Sequence, residues 1–361
     1  VITTRGKKKT YVAEFHHHGQ HRKVSLKTAN KKVAIDRATT LANQLIHGGY
    51  QTAPKNIGVR EATAQYVDHL ETEGRARRTI VKYRGVFKNF LEFLKALNVT
   101  RLDQVLPGHF DRYRAHRKQS RKPKTLYTEG VILKQFFSWA KTRKLLADNP
   151  LAEVKLKKPM FVAKPAPNLD EVNALLAVAR DPLRQHLAVL AFTGMRAGEL
   201  QRLRPEDVDL DGNWIHIVSR DGAETKTRRS RKVPIHPRLR PVFEGLPRRA
   251  RPYLFTSQPS QKYPEGNRPI NTKRLNDRFK VLLAKLKFPV GRDNGYVVHS
   301  LRHFVETFTI NANIPQRVVD AWLGHYSDKS MGAIYYKLSD ADSQRFMKLV
   351  PFGAPDTTEA S

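Results

Sequence analysis

Cysteine is absent from all 361 residues, so neither disulfides nor thiolate metal centres hold this fold, and a reducing compartment suits the chain. No apolar run approaches the ~18 residues that would suggest a membrane span. The basic stretch Val1 to Lys9 is followed by no long apolar segment, so it does not read as a secretory signal. The chain opens on Val1 rather than Met, as a processed or trimmed chain does. There is no internal repeat and no extended low-complexity tract. Negative charge is also scarce. Asp and Glu number 33 against 66 Lys and Arg, giving a formal net charge of +33 and an isoelectric point near 10.4. Such an excess repels itself unless a polyanion neutralises it, and nucleic acid is the commonest polyanion. The plainer alternative is a merely cationic surface.

With hydrophobic residues at 40%, the chain can bury real cores, and its length suits two or three domains. Alternation over Tyr11–Phe15 and Lys23–Leu26 predicts two strands, with His18 to His21 as the turn. Val33, Ala34, Ala38, Leu41, Ala42 and Leu45 predict a helix over 32–46, stopped by Gly48-Gly49. Residues 1–56 thus read as an accessory DNA-binding domain, or as a basic cap on the next domain. His16, His17, His18 and His21 resemble a metal cluster. Neighbours on a strand face opposite ways, however, and no carboxylate completes a site, so a solvated or phosphate-facing edge is expected.

Residues 57–158 read as all helix, over 59–73, 77–97, 103–117 and 124–142. Their aromatics fall at core spacing. Basic residues crowd the joints, and Arg75, Arg77, Arg78, Lys118, Arg121 and Lys122 are candidates for phosphate contact. Lys155, Lys157 and Lys158 lead into a proline-interrupted basic linker, 159–167. Residues 168–351 mix helices with a short sheet, and 352–361 form a tail. The expected fold is mostly α with small β-sheets.

Four short motifs in the third segment can carry chemistry. Thr193-Gly194-Met195-Arg196-Ala197-Gly198-Glu199-Leu200 turns on a glycine into a helix whose first turn holds Arg196, a natural anion site. Lys226 sits in a polar hairpin beside Arg228 and Arg229, where a lysine can enter a DNA groove. In His299-Ser300-Leu301-Arg302-His303, His299 and Arg302 share a helical face, and arginine can grip two phosphate oxygens. Leu323-Gly324-His325 is followed by Ile334-Tyr335-Tyr336-Lys337. Singly, each is ordinary: a surface arginine, a solvated lysine, a packed tyrosine.

As a set, and in this order, the motifs resemble those of the tyrosine recombinases, the phage-integrase-like enzymes. The resemblance covers the third segment fully and the helical second segment more loosely. The helical segment is similar to that family's core-site DNA-binding domain, and the first segment to arm-type domains of some integrases. The resemblance implies that Arg196, Lys226, His299, Arg302, His325 and Tyr335 are catalytic, with Tyr335 the nucleophile and Glu199 and His303 in support. In the family the tyrosine follows the histidine by one residue fewer, and a short x-His often follows it. Tyr336 therefore remains an alternative nucleophile. The resemblance further implies a site-specific recombinase acting on double-stranded DNA through a 3′-phosphotyrosine, with no metal or other cofactor. It implies a homo-tetramer on DNA, an accessory bending or directionality factor, and a cytoplasmic, nucleoid-associated, prokaryotic or phage-type setting. A type IB topoisomerase-like enzyme and a catalytically silent architectural protein are the alternatives. The C-terminal helix, carrying Phe346, Met347, Leu349 and Val350, could pack in cis or on a neighbour.

Because phosphate contacts release counterions, affinity for duplex DNA should fall steeply as salt is raised from about 50 to 200 mM. Filter binding or fluorescence anisotropy across that range measures it, and a flat response contradicts a large basic footprint.

Overall fold

The structure is a computed structural model that describes residues 1–5, 9–17, 20–47, 57–220, 222, 225, 229–246, 251–261, 263–325 and 338–354. The chain divides into two compact units, Val1–Phe161 and Val162–Ser361. The described residues are mostly helical, with two three-stranded antiparallel sheets.

In the first unit, β1 (Ile2–Arg5), β2 (Thr10–His17) and β3 (Gln20–Ser25) form a meander. The first strand was not legible as one, being four residues long and without alternation of apolar and polar side chains. Helix α1 (Lys31–Ile46) begins where the Asn30 side chain accepts the backbone N–H groups of Lys32 and Val33. Ala34 packs with Ala13 and Leu26, and Ala38 and Leu41 continue that stripe. Val33 and Ala42, expected on the apolar face, are exposed. A helix laid on a three-stranded sheet buries only a narrow i, i+4, i+7 stripe. Glu14 stands 3.5 Å from His21 Nε2 but pairs more closely with Lys23 at 3.0 Å, and among the described residues these side chains form no group of potential metal ligands. His16 and His21 face each other across the ladder with ring centroids 5.1 Å apart. His18 lies outside the described residues.

Helices α2 (Val59–Thr72), α3 (Arg77–Ala96), α4 (Pro107–Lys118) and α5 (Pro123–Thr142) follow. The third of these starts at Pro107 rather than near Asp103, after a single 3-10 turn over Leu102–Gln104. Proline lacks the N–H that a helix interior needs but fits its first turn. Phe87, Phe90, Phe136 and Phe137 form the core, and Tyr66 packs on Phe87, Phe136 and Trp139. One buried polar group crosses this core. Glu129 accepts hydrogen bonds from the Tyr113 hydroxyl at 3.0 Å and from Arg117 at 3.0 and 2.6 Å. Deleting one partner of such a pair costs about 3–5 kcal/mol, because the other charge stays buried.

In the second unit, α6 (Leu169–Val178) opens with a reciprocal cap between Asn168 and Glu171. Helix α7 (Leu183–Thr193) is buried from His186 to its end. It packs against α11 (Ser300–Asn311), which in turn packs against α12 (Gln316–Leu323). Between these come α8 (Ala197–Arg202), the sheet of β4 (Val208–Asp209), β5 (Trp214–Ile217) and β6 (Arg231–Pro234), then α9 (Arg240–Glu244) and α10 (Thr272–Lys285). The last helix, α13 (Asp340–Leu349), packs in cis. Met347, Val350 and Phe352 join the core of their own unit, so the packed chain runs one residue beyond 351. The Trp322 indole also donates to Ser343 Oγ at 2.9 Å. No described helix is long and apolar enough to cross a membrane.

Candidate active site

Helix α7 ends at Gly194, whose φ of +64° is left-handed and favours glycine. A Cβ there would also lie 2.4 Å from Leu323 Cδ2, so this turn and the end of α12 approach more closely than a side chain permits. After the turn, Arg196 is the N-cap of α8, extended at φ −76° and ψ 147°, rather than a residue of its first turn. Its backbone N–H donates to Glu199 Oε2 at 2.8 Å and its Nη1 to Oε1 at 2.9 Å.

Glu199 is the anchor of the site, its side chain only 3% exposed. A second arginine meets it from β6. Arg231 Nη1 and Nη2 reach the two Glu199 oxygens at 3.1 and 2.6 Å, and Arg231 Nε donates to Trp322 O at 2.7 Å. Burial alone would raise the Glu199 carboxyl. The hydrogen bonds and charge of Arg231, with those of Arg196, override that and hold it down to about 2.

Arg302, on the first turn of α11, is 3% exposed. Its Nη1 donates to Gly194 O at 2.8 Å, and its Nη2 to Leu323 O at 2.6 Å and to His325 Nε2 at 2.9 Å. Burial, then repulsion from Arg196 and Arg231, pulls its guanidinium down to about 10. It stays charged at neutral pH, yet a nearby anion would relieve it. Nε and one Nη1 hydrogen have no partner among the described residues.

His299 precedes α11, exposed, with its ring 5.0 Å from that of His303. His303 Nδ1 lies 3.9 Å from Glu306. His325 follows the left-handed Gly324, and its ring is held below the ordinary imidazole range by burial and then by Arg302. The structure thus joins Arg196 to Glu199 and Arg302 to His325, links His303 to His325 through Glu306, and sets His299 beside His303. Lys226, Arg228, Tyr335 and Tyr336 lie outside the described residues. Arg229 is described, and its backbone exchanges hydrogen bonds with the Thr225 hydroxyl at 3.1 and 2.9 Å.

The sequence pattern of the Phage integrase family matches residues 168–342, and that of the phage integrase N-terminal SAM-like domain matches 63–144. The chain belongs to the phage integrase family. Tyrosine recombinase XerC of Neisseria meningitidis is 27% identical over 284 residues, covering 76% of this chain and 89% of XerC. Tyrosine recombinase XerD of Vibrio vulnificus is 28% identical over 305 residues, covering 79% and 93%. Among solved structures, a lambda integrase tetramer bound to a Holliday junction superposes with a TM-score of 0.63 at 16% identity, over 94% of this chain and 98% of that one. The Tn1549 transposon integrase in complex with a circular intermediate DNA gives 0.61 at 17% identity, over 80% and 98%. At these identities the superpositions establish a shared fold.

For this phage integrase family member, sequence reading missed Arg231 and the pair Glu306 and Asp320. Arg231 sits in the run Arg228-Arg229-Ser230-Arg231-Lys232, where nothing distinguishes it. Glu306 was within reach of inference, since it lies four residues beyond Arg302 and shares its helical face. Glu306, Asp320 and His325 also form the one group of potential metal ligands among the described residues. The exposed basic candidates Arg75, Arg77, Arg78, Lys118, Arg121, Lys122, Lys155, Lys157 and Lys158 all belong to the first unit, whereas this site belongs to the second. Lys82, Arg117, Arg121 and Lys124 line a groove of about 370 Å³ in that first unit.

Glu199→Gln should lower stability at pH 7 by about 3–5 kcal/mol, since Arg231 is left buried without its counter-charge. The wild-type carboxylate has a folded pKa below its ordinary 4.5, so its contribution is present above that value and lost as pH falls toward about 2. Urea unfolding at pH 7 and at pH 3 should show this part of the acid loss in the wild type and not in the variant.

Proposed function

We propose that the chain is a site-specific DNA recombinase that cuts and rejoins duplex DNA through a 3′-phosphotyrosine intermediate, needing neither metal nor ATP. The observation that carries this reading is the pairing of Arg196 and Arg231 with one buried carboxylate, Glu199, beside the buried guanidinium of Arg302. Two of them, Arg196 and Arg302, keep donors unspent among the described residues. A phosphodiester in flight gathers charge on its non-bridging oxygens, and fixed cations in a water-poor site stabilise that charge most.

Arg196 and Arg302 would bind those oxygens, supported by Glu199. His299 and His325 would add hydrogen bonds and help manage the tyrosine proton, with His303 packed beside His299. A free phenol has a pKa near 10, so only about a thousandth is ionised at neutral pH, and the nearby cations must favour the phenolate as it attacks. The Tyr335 oxygen forms a bond to phosphorus while the bond from phosphorus to the 5′ oxygen breaks. Lys226 gives that oxygen a proton as general acid. Attack by a different 5′ hydroxyl reverses these steps and reseals a recombined strand. The tyrosyl ester conserves the phosphodiester energy, so no ATP is consumed.

Residues 1–56 would bind arm-type DNA and 57–158 the core site, joined by the linker 159–167 to the catalytic domain 168–351. The basic joints, the linker lysines, and Arg228 and Arg229 would contact phosphate. Lambda integrase forms a tetramer on a Holliday junction, and a homo-tetramer on DNA, with an accessory bending or directionality factor, is the assembly proposed for this chain as well.

Tyr335→Phe should retain DNA binding and lose the covalent complex on a nicked suicide substrate, while Tyr336→Phe should keep it. Denaturing gels of the trapped complex read both. The reverse pattern transfers the nucleophile to Tyr336.

A further inference from the structure

Helix α7 carries a histidine that the candidate active site does not use. His186 is 6% exposed, with its ring T-shaped against Phe255 at a centroid distance of 5.0 Å. No described residue hydrogen-bonds to its ring nitrogens, which is uncommon for a polar side chain buried this deeply. The ring lines a cavity of about 170 Å³. Helix α10 and the loop at 256–260 supply other walls, with Ser257, Gln258, Asn271, Arg274 and Arg278 among them. None of the candidate catalytic residues lines it. At about 1.5 Å per helical residue, His186 stands about 12 Å along α7 from the turn at Gly194.

The charges around this cavity are lopsided. Arg274 and Arg278 are four residues apart on one face of α10, and neither guanidinium has a hydrogen-bond or ion-pair partner among the described residues. The carboxylate that favours a charged His186 ring, Asp181, is already bound by Arg184 at 3.2 Å and by Gln185 at 3.4 Å. Burial, and then the charge of Arg278, holds the imidazole down at about 4, so at neutral pH it is uncharged with one N–H to donate. The walls are braced from behind. Ser257 donates from its backbone N–H to Arg268 O at 2.7 Å and from its hydroxyl to Pro269 O at 3.0 Å, and Gln201 Nε2 donates to Ile270 O at 2.7 Å. Asn271 Oδ1 accepts the backbone N–H groups of Lys273 and Arg274, so side chains rather than the helix end are left to meet a ligand.

We infer that this cavity is a second phosphate-binding site of the second unit, in which Arg274 and Arg278 grip the oxygens of a phosphate group and the His186 N–H completes the set. A tetrahedral oxyanion accepts on every oxygen, so it takes up guanidinium donors and an imidazole N–H together. Both arginines repel a cation, and an apolar ligand would leave the His186 ring buried without a partner. The phosphate group belongs either to a DNA backbone or to a small phosphorylated molecule. A strand rising about 3.4 Å per nucleotide covers about 12 Å in roughly four nucleotides, so this cavity and the turn at Gly194 lie within the span of one duplex. The anion chemistry stands without the recombinase reading above; only the DNA source rests on it.

Two arms with the whole chain test the site. In the first, histidine-labelled protein is titrated with inorganic phosphate at fixed ionic strength and neutral pH, with chloride as the control, and the His186 ring signals are followed by NMR. Phosphate should shift them to saturation and chloride should not. Arg274 and Arg278 are exposed, so replacing them leaves the core intact. Arg274→Gln with Arg278→Gln should raise the phosphate concentration needed by about tenfold or more, since hydrogen bonds from charged donors are lost. In the second arm duplex DNA replaces phosphate, and its affinity is measured against salt. If DNA supplies the group, it shifts the same signals, and the double variant lowers the slope of log affinity on log salt by about one, for one lost phosphate contact. An unchanged slope beside intact phosphate binding in the wild type assigns the cavity to a small phosphorylated molecule. Phosphate that moves the His186 signals no more than chloride, or that binds the double variant as well as the wild type, overturns the proposal. Absence of any covalent complex on a nicked duplex would count against the recombinase reading and leave the phosphate site standing.

Discussion

A single buried carboxylate organises the catalytic unit. Glu199 grips Arg196 from its own helix and Arg231 from a strand, and its deep burial is tolerable only because both guanidiniums reach it. Arg302 packs alongside, its guanidinium pulled down first by burial and then by repulsion from Arg196 and Arg231, with Glu199 and Glu306 acting the other way. Fixed guanidiniums in a site partly withdrawn from water are the groups that would stabilise an anion there.

The backbone contributes the second half of the arrangement. Arg302 binds the carbonyls of Gly194 and Leu323, and Arg231 binds that of Trp322. These carbonyls lie at the C-terminal ends of α7 and α12, where helix dipoles favour cations. The two left-handed glycines, Gly194 and Gly324, let both helix ends come close to the arginines. At Gly324 a Cβ would stand 3.0 Å from Arg231 Cδ. Helix termini that would otherwise need capping by solvent are capped by Arg231 and Arg302, so closing the fold and orienting these side chains are one event.

Much of this was legible in the sequence, because chemistry-bearing motifs keep local spacing. Arg196 and Glu199 are three residues apart and meet as a cap residue and the third residue of its helix, while His299 and Arg302, at the same spacing, open one helix together. The helical course of residues 59–142 followed from apolar periodicity, apart from the helix start that Pro107 delays. What stayed hidden depends on contacts distant along the chain. Arg231 finds Glu199 across 32 residues, while its strand neighbour Lys232 carries the same charge to Asp340. Asp320 matters only because α12 ends beside α11. Glu14 likewise reaches His21 only through strand register.

The account depends on Arg196 and Arg302 presenting to one phosphate the donors that no described residue takes up. A structure of the protein on a nicked duplex, with vanadate in place of the scissile phosphate, tests this most directly. The vanadate should lie within hydrogen-bonding distance of both guanidiniums, with the Tyr335 oxygen as its apical ligand and Glu199 still bound to Arg196. An anion seated elsewhere, or reached by only one of the two arginines, would contradict it.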